Sequence, residues 1–322
     1  MLEEVDSWLA RRSWAASDRP LDRLLAARDR DPRGTSVSVV LPALNEEATV
    51  GEIVRVIRRE LMEKIPLVDE LVVIDSGSTD ATSAVARAAG ARVVHRDAIL
   101  PRLPAVPGKG EVLWRSLFVT SGEIVCFVDA DLKDFSADFV SGIVGPLLTD
   151  PGIQFVKAMY DRPLEDGHAP AGTPAQGGRV TELVARPLLN LHWPKLAGFV
   201  QPLGGEYAVR RRLLEQLPFP VGYGVELGLL VDALHEVGLD ALAQVDVGVR
   251  RHRHQDGQAL GRMAAAIYRT AQLRLARGHL VRPMLTQFER DEDGFRPHTY
   301  AVDTEERPPV REIAEYTTRR AA

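Results

Sequence analysis

A single cysteine, Cys126, stands in a chain of 322 residues. That excludes a disulfide framework within the chain and permits a reducing compartment. Cys126 lies inside the apolar run IVCFV, where a buried, inert thiol is expected rather than a nucleophile. Excess positive charge is missing too. The formal net charge is −5, so no basic field suggests a nucleic-acid partner, and no block of like charge forms an acidic tail. Anionic ligands must therefore be held by local clusters. No stretch approaches the roughly 18 consecutive apolar residues of a membrane span, and the opening segment MLEEVDSWLARRSWAASDRP lacks the apolar centre of a signal peptide. Internal repeats and low-complexity tracts are also missing. The expectation is a soluble, cytoplasmic protein with no membrane and no nucleic acid among its partners.

What is present is an ordinary globular composition, 45% hydrophobic and 26% charged, suited to one large domain or two small ones. Residues 1–35 read as a charged helical arm broken at Pro20, with Trp8, Leu9, Trp14, Leu21, Leu24 and Leu25 as apolar anchors. From residue 36, short β-branched runs (SVSVVLP, ELVVID, ARVVHR) alternate with helix-period segments (VGEIVRVIRRELM, ATSAVARAAG). That alternation specifies an α/β fold, a mostly parallel sheet flanked by helices on both faces. The helical segment GEVLWRSLFVT leads into the strand EIVCFVDADL. Beyond it come a strand at IQFVKAMY, a Pro/Gly/Ala-rich loop from Pro163 to Gly178 of the kind that is often functional, a helix at RVTELVARPLLNLHW and a short strand at GGEYAVR. Two further helices and a last strand in ALAQVDVGVRRHRH complete residues 36–255, divided into halves at 36–135 and 136–255. A long helix from Gly257 and an irregular tail from about His279 make up a C-terminal extension, 256–322, expected with the arm to form homodimer contacts.

In such a sheet, sites form in the loops at the carboxyl ends of strands. Three such ends carry chemistry. VVLPALNEEAT presents Pro42, Leu44 and Glu46; VIDSGSTDAT presents Ser76 in a turn of hydroxyls and backbone N–H groups suited to a ribose or a base edge. The third, CFVDADL, places Asp129 and Asp131 at i and i+2, on one face of an extended chain where like charges repel. A divalent metal with oxygen ligands would relieve them and could bridge to the phosphates of a nucleotide. Lys109, flanked by glycines before a helix, is a plausible phosphate clamp, because the backbone can approach closely and the helix dipole favours anions. GGRVTE offers Gly178, the Arg179 guanidinium fork and the Thr181 hydroxyl to a second anion.

Taken in order and spacing, VVLPALNEEAT, VIDSGSTDAT, PGKGEVLWRS and VDADL resemble the nucleotide-sugar half of GT-A-type glycosyltransferases. The downstream stretches GIQFVKAMYDRPL, GGRVTELVARPLL, QPLGGEYA, GYGVELGLLVD and GVRRHRH are similar to the glucosyl-3-phosphoglycerate synthase family and its mannosyl relatives. The likeness covers about residues 36–254. It implies transfer of a hexose from an NDP-sugar (UDP-glucose, GDP-glucose or GDP-mannose) to the 2-hydroxyl of 3-phosphoglycerate, with retention and a divalent metal, Mg²⁺ or Mn²⁺. It further implies Asp131 and His252 as metal ligands, Asp129 at the ribose or metal, and Pro42, Leu44, Glu46, Ser76 and Lys109 around the nucleotide. Gly178, Arg179 and Thr181 would hold the acceptor, and Tyr223 and Glu226 the sugar hydroxyls, with Asp131 and Glu226 the residues closest to the chemistry. One position departs from the pattern. His254 stands where the mycobacterial-type sequence has Asn, and imidazole differs from amide in donors and charge.

No carboxylate presents itself as a nucleophile, and departure and attack on one face of the sugar need none. A different class of function, a non-catalytic nucleotide-sugar-binding scaffold, would be favoured by loss of a metal ligand or of Arg179, and both are present. A polymerising, membrane-associated transferase would require transmembrane helices.

Overall fold

In a computed structural model, the structure describes residues 2–30, 34–162, 178–251, 257–275, 284–291, 294–301 and 305–321. Its strands, in chain order, are β1 (Ser13–Ala15), β2 (Val37–Ala43), β3 (Glu70–Asp75), β4 (Arg92–His95), β5 (Ile124–Phe127), β6 (Phe155–Asp161), β7 (Tyr207–Arg210), β8 (Phe219–Pro220), β9 (Leu242–Val249), β10 (Met284–Asp291), β11 (Gly294–Ala301) and β12 (Glu306–Arg307). An eight-stranded sheet runs β1-β9-β6-β7-β5-β2-β3-β4. All its pairings are parallel except those of β7, which lies antiparallel to β5 and β6.

The β-branched runs form the centre because both of their faces are covered. Along β2, Val40 enters one apolar core with Val72, Val125 and Phe127, while Val37, Val39 and Leu41 enter the other with Val73, Ile124 and Cys126. That is the two-residue period of a strand. Helix Lys109–Ser116 and helix Val225–Val237 cover the first face, and helices Val50–Ile57 and Asp138–Thr149 cover the second. Each fully buried aliphatic or aromatic side chain here contributes about 1.5–3 kcal/mol. Cys126 sits within this core, and burial pushes its thiol far above the ordinary range, which keeps it protonated and inert.

Two segments differ from expectation. Within residues 1–35, Ser13–Ala15 form the parallel edge strand β1 beside β9, and the Trp8 indole, fully buried, donates to the Leu242 carbonyl at 2.8 Å. Three residues between two helices are too short for a period to be read. The tail, expected to be irregular, contains the antiparallel pair β10–β11 with Asp291 opposite Gly294. The turn signal was present in Asp293-Gly294 between strand-length segments. After it, β12 pairs with β8, and Val310 and Tyr316 are buried against the body.

Candidate active site

The first two strand-end loops are tied to each other. Asn45, at φ 58°, donates from its backbone N–H to the Ser78 hydroxyl at 3.0 Å, and its side-chain oxygen accepts from the Thr79 N–H at 2.8 Å. Asn tolerates this left-handed conformation because its short polar side chain bonds locally. The Glu46 N–H donates to Thr82 Oγ1 at 2.8 Å. Asp75 holds the second turn by accepting from the Gly77 and Ser78 N–H groups and from the Ser83 hydroxyl. Burial acts to raise its pKa, yet these bonds keep it below the ordinary carboxylate value. Pro42 lies near the end of β2, Leu44 is exposed beyond it, and Ser76 follows β3, its N–H on the Ala43 carbonyl at 2.9 Å. Thr49 Oγ1 donates to the Ala130 carbonyl at 2.6 Å, joining this pair of loops to the third, Asp129–Asp131.

The third loop meets a set of cations. Lys109 begins the helix after Gly108, whose φ of 136° is open only to glycine without strain. Its ammonium pairs with Asp129 and lies 2.9 Å from Glu226 Oε1, at the start of helix Val225–Val237. Arg250, just past β9, completes the cluster. Its Nη2 donates to Asp129 Oδ2 at 2.8 Å and Asp131 Oδ1 at 3.3 Å, and its Nε to Glu206 Oε1 at 2.9 Å. Although burial alone would raise it, Asp129 is held far below its ordinary pKa by Lys109 and Arg250. Asp131 goes the other way, pushed up to about 6 by burial, with Asp129 and Glu206 adding to the rise and Arg250 opposing it. Neighbouring carboxylates are thus driven apart in proton affinity, an arrangement more common at functional sites than in plain cores.

Glycine makes the cluster possible. Gly205 lies across from Asp129, and a Cβ there would overlap both Asp129 Oδ2 and Lys109 Nζ. Gly205→Ala is therefore expected to separate the ion pair and lower kcat/KM for the donor roughly 10–100-fold, the cost of displacing one charge-assisted contact. Steady-state kinetics at varied donor concentration check this; unchanged donor kinetics in a folded variant would refute it.

A buried relay runs from the cluster toward Gly178. Glu206 Oε2 accepts from the Tyr160 hydroxyl at 2.7 Å, and that hydroxyl accepts from Arg162 Nη2 at 2.9 Å. Arg162 Nη1 lies within van der Waals reach of a Cβ built on Gly178, which takes φ 93°. Thr181 is buried in a π-helical turn, Thr181–Ala185, a distortion frequent at functional sites, and Arg179 is exposed beside it. Tyr223 is 46% exposed on the loop before Glu226.

The structure thus brings Lys109, Asp129, Asp131 and Glu226 into one cluster, with Pro42, Leu44, Glu46 and Ser76 on linked loops. Gly178, Arg179 and Thr181 stand at the far end of the relay. His252 and His254 lie outside the described residues. Arg251, immediately before them, is bridged to Lys133, two positions past Asp131, with Lys133 N–H to Arg251 O at 3.0 Å. Sequence reasoning missed Arg250, Glu206, Gly205 and Lys157. The last is fully buried, donates to the Gly204 carbonyl at 2.8 Å, lies over the Tyr207 ring and has its pKa lowered to about 8 by burial. Charges inside otherwise apolar strand segments, as in QFVKAMY and GGEYAV, were the available signal.

The Glycosyl transferase family 2 model matches residues 38–194, and with the mostly parallel sheet this makes the fold that of a GT-A glycosyltransferase. Similarity extends well beyond that core. A glucosyl-3-phosphoglycerate synthase of Mycolicibacterium paratuberculosis is 49% identical over 314 residues, 96% of this chain and 92% of that protein. The crystal structure of the Mycobacterium tuberculosis glucosyl-3-phosphoglycerate synthase in complex with Mn²⁺, UDP and phosphoglyceric acid is 47% identical, with a TM-score of 0.81 over 91% of this chain and 95% of that one. Mannosyl-3-phosphoglycerate synthase from Rubrobacter xylanophilus is 39% identical, with a TM-score of 0.87 over 96% of this chain and 99% of that one. The chain belongs to the glucosyl-3-phosphoglycerate synthase family and is a glycosyltransferase.

Proposed function

We propose that this enzyme transfers glucose from UDP-glucose to the 2-hydroxyl of 3-phosphoglycerate, with retention at the anomeric carbon and with Mg²⁺ or Mn²⁺ bound at Asp131. The observation that carries the reading is the Lys109–Asp129–Arg250–Asp131 cluster, which sets cations beside a carboxylate pair where a nucleotide diphosphate would arrive. Glucose is favoured over mannose because the glucosyl relative is 49% identical and the mannosyl neighbour 39%.

Asp129 and Asp131 supply carboxylate oxygens of the kind a divalent metal takes. Among the described residues no group of three His, Cys, Asp or Glu converges on one point. Asp131 is the more exposed member of the aspartate pair, has the longer contact to Arg250, and is crowded by the charges of Asp129 and Glu206. A cation there relieves that crowding. When bound, the metal stabilises negative charge on the departing diphosphate.

The protein's own groups do the rest. Lys109 meets the leaving diphosphate with an ammonium at a helix start, and Glu46, Ser76 and the Pro42–Leu44 segment line the nucleoside. Asp129, kept ionised, receives a ribose hydroxyl or supports the metal, and Glu226 accepts from a sugar hydroxyl. Arg179, Gly178 and Thr181 hold the acceptor, His254 is assigned to the same substrate, and Tyr223 joins Glu226 at the sugar hydroxyls. The bond from the anomeric carbon to UDP oxygen breaks, the acceptor O2 bonds to that carbon on the same face, and the 2-hydroxyl proton passes to the departing diphosphate oxygen. The products are UDP and glucosyl-3-phosphoglycerate.

Purified protein with 3-phosphoglycerate and Mg²⁺, offered UDP-glucose, GDP-glucose and GDP-mannose in turn, tests this by released nucleotide; preference for GDP-mannose would reassign the donor, and no release from any would refute transfer. Arg179→Ala is expected to lower kcat/KM for 3-phosphoglycerate about tenfold to hundredfold, the worth of one charge-assisted hydrogen bond, and to leave nucleotide affinity unchanged. Equal losses for 3-phosphoglycerate and plain glycerate would remove the acceptor phosphate from Arg179.

The reading includes a homodimer and a cytoplasmic setting. Trp8 and Leu24 of the arm are buried within the chain itself, and the dimer contacts are assigned to Leu2 of the arm and to Tyr268 and Leu273 of the C-terminal extension, which are exposed. A monomeric mass by light scattering would remove the dimer. The single buried thiol suits a reducing compartment, and no helix among the described residues is long and apolar enough to cross a membrane.

A further inference from the structure

The first turn of the Lys109 helix rests on a short strap from the C-terminal segment. Arg307, in β12, grips the fully buried Glu111 with both ends of its guanidinium, Nε to Oε2 at 2.7 Å and Nη2 to Oε1 at 3.0 Å. Arg115, also fully buried, donates to the same Oε1 at 2.7 Å. Arg307 Nη2 reaches the Pro104 carbonyl at 2.8 Å, and the Trp114 indole donates to the Pro308 carbonyl at 2.9 Å. On its other side the strap pairs with β8, and the Val221 N–H donates to the Glu305 carbonyl at 3.0 Å. Val221 in turn accepts from the Glu111 N–H at 3.1 Å, and Gly108 and Gly110 lie so close to the Pro220 and Val221 carbonyls that neither has room for a Cβ. Glu306 is paired with Arg274 at 2.7 Å, and Arg274 with Asp232 on helix Val225–Val237.

The strap therefore contacts the helix that carries Lys109 and reaches the helix that carries Glu226 through Arg274; the Lys109 and Glu226 side chains meet at 2.9 Å in the site. A bidentate Arg–carboxylate pair fixes direction as well as distance, which a single ammonium cannot. We infer that Arg307 is a positioning residue: through Glu111 and β8 it sets the separation of Lys109 and Glu226, and so the affinity for the nucleoside diphosphate of the donor. This rests on the function proposed above.

A double-mutant cycle tests it, with UDP as the probe and calorimetry as the readout. Arg307→Ala is expected to raise the UDP dissociation constant about tenfold when Lys109 is present and less than about twofold in a Lys109→Ala background, because the lost effect runs through that lysine. Arg307→Lys should recover part of the affinity, and KM for 3-phosphoglycerate should stay within about twofold of wild type. Equal losses in both backgrounds, or unchanged affinity in folded Arg307→Ala, would overturn the inference. Should Arg307→Ala fail to fold, Arg307→Lys carries the same cycle with the same two outcomes. A wild-type protein that binds neither UDP nor GDP would overturn the donor reading instead. The strap is then decided without nucleotide: faster hydrogen exchange at the Glu111 amide in Arg307→Lys supports it, and unchanged exchange overturns it.

Discussion

Asp131→Asn is expected to abolish hexosyl transfer, with a loss of at least roughly 10²–10³-fold, the scale of removing one group that stabilises charge developing in a transition state. The same substitution should not harm the metal-free fold. Burial, with Asp129 and Glu206 nearby, pushes the Asp131 carboxyl from 3.8 to about 6 against the pull of Arg250. A carboxyl raised in the folded state contributes stability below its unfolded value and loses that contribution as pH rises through the folded value. At pH 7 to 8 the ionised Asp131 is therefore a burden on the metal-free protein, by up to roughly 3 kcal/mol before relaxation and solvent screening reduce it. In chelator, Asp131→Asn should melt at or above the wild-type temperature at pH 8, the difference shrinking as pH falls toward 4. Added Mn²⁺ should raise the melting temperature of the wild type alone. Undiminished turnover, or a metal-free variant clearly less stable than wild type at pH 8, would rule out this account of Asp131.

The frame of the molecule was legible because parallel strands buried on both faces leave a dense apolar trace: SVSVV, ELVVI and EIVCF became β2, β3 and β5. Their carboxyl ends were legible for the same reason, since polar residues cut each run short where a site can form. Partners across the sheet were not. Asp129 meets Arg250, 121 positions along the chain, and nothing local to VGVRRHRH says which arginine turns inward. Lys157 and Glu206 were overlooked because each reads as one charge in an apolar strand, and only the assembled interior, where Glu206 takes Tyr160 and Arg250, shows how that charge is met. The arm was read as helix because β1 is three residues long and owes its existence to β9 rather than to its own pattern.

Arg250→Met is expected to produce the largest loss of stability among single substitutions in the site. The guanidinium, 5% exposed, stands against Glu206 at 2.9 Å, Asp129 at 2.8 Å and Asp131 at 3.3 Å. Removing it leaves those acids without their shared cation, and breaking a buried ion pair from one side costs about 3–5 kcal/mol. In a chain of this size that corresponds to a fall in melting temperature on the order of 10 °C. Lysine should recover little, because one ammonium cannot reach from Glu206 to both aspartates as the guanidinium does through separate nitrogens. Most of the penalty falls on Glu206, which is fully buried and, among the described residues, keeps the Tyr160 hydroxyl as its side-chain hydrogen-bond partner. Adding Glu206→Gln should therefore return a large part of the stability, since an amide oxygen can still accept from Tyr160 and no longer carries an unpaired charge. Activity should not return with it. Asp129 and Asp131 would still lack the cation that sits between them, and Lys109 would compensate Asp129 alone. Thermal melts and donor kinetics on Arg250→Met, Arg250→Lys and the double variant separate the two effects. A single variant within about 1 kcal/mol of wild type, or a double variant that regains turnover together with stability, would show that Arg250 is not what holds the cluster together.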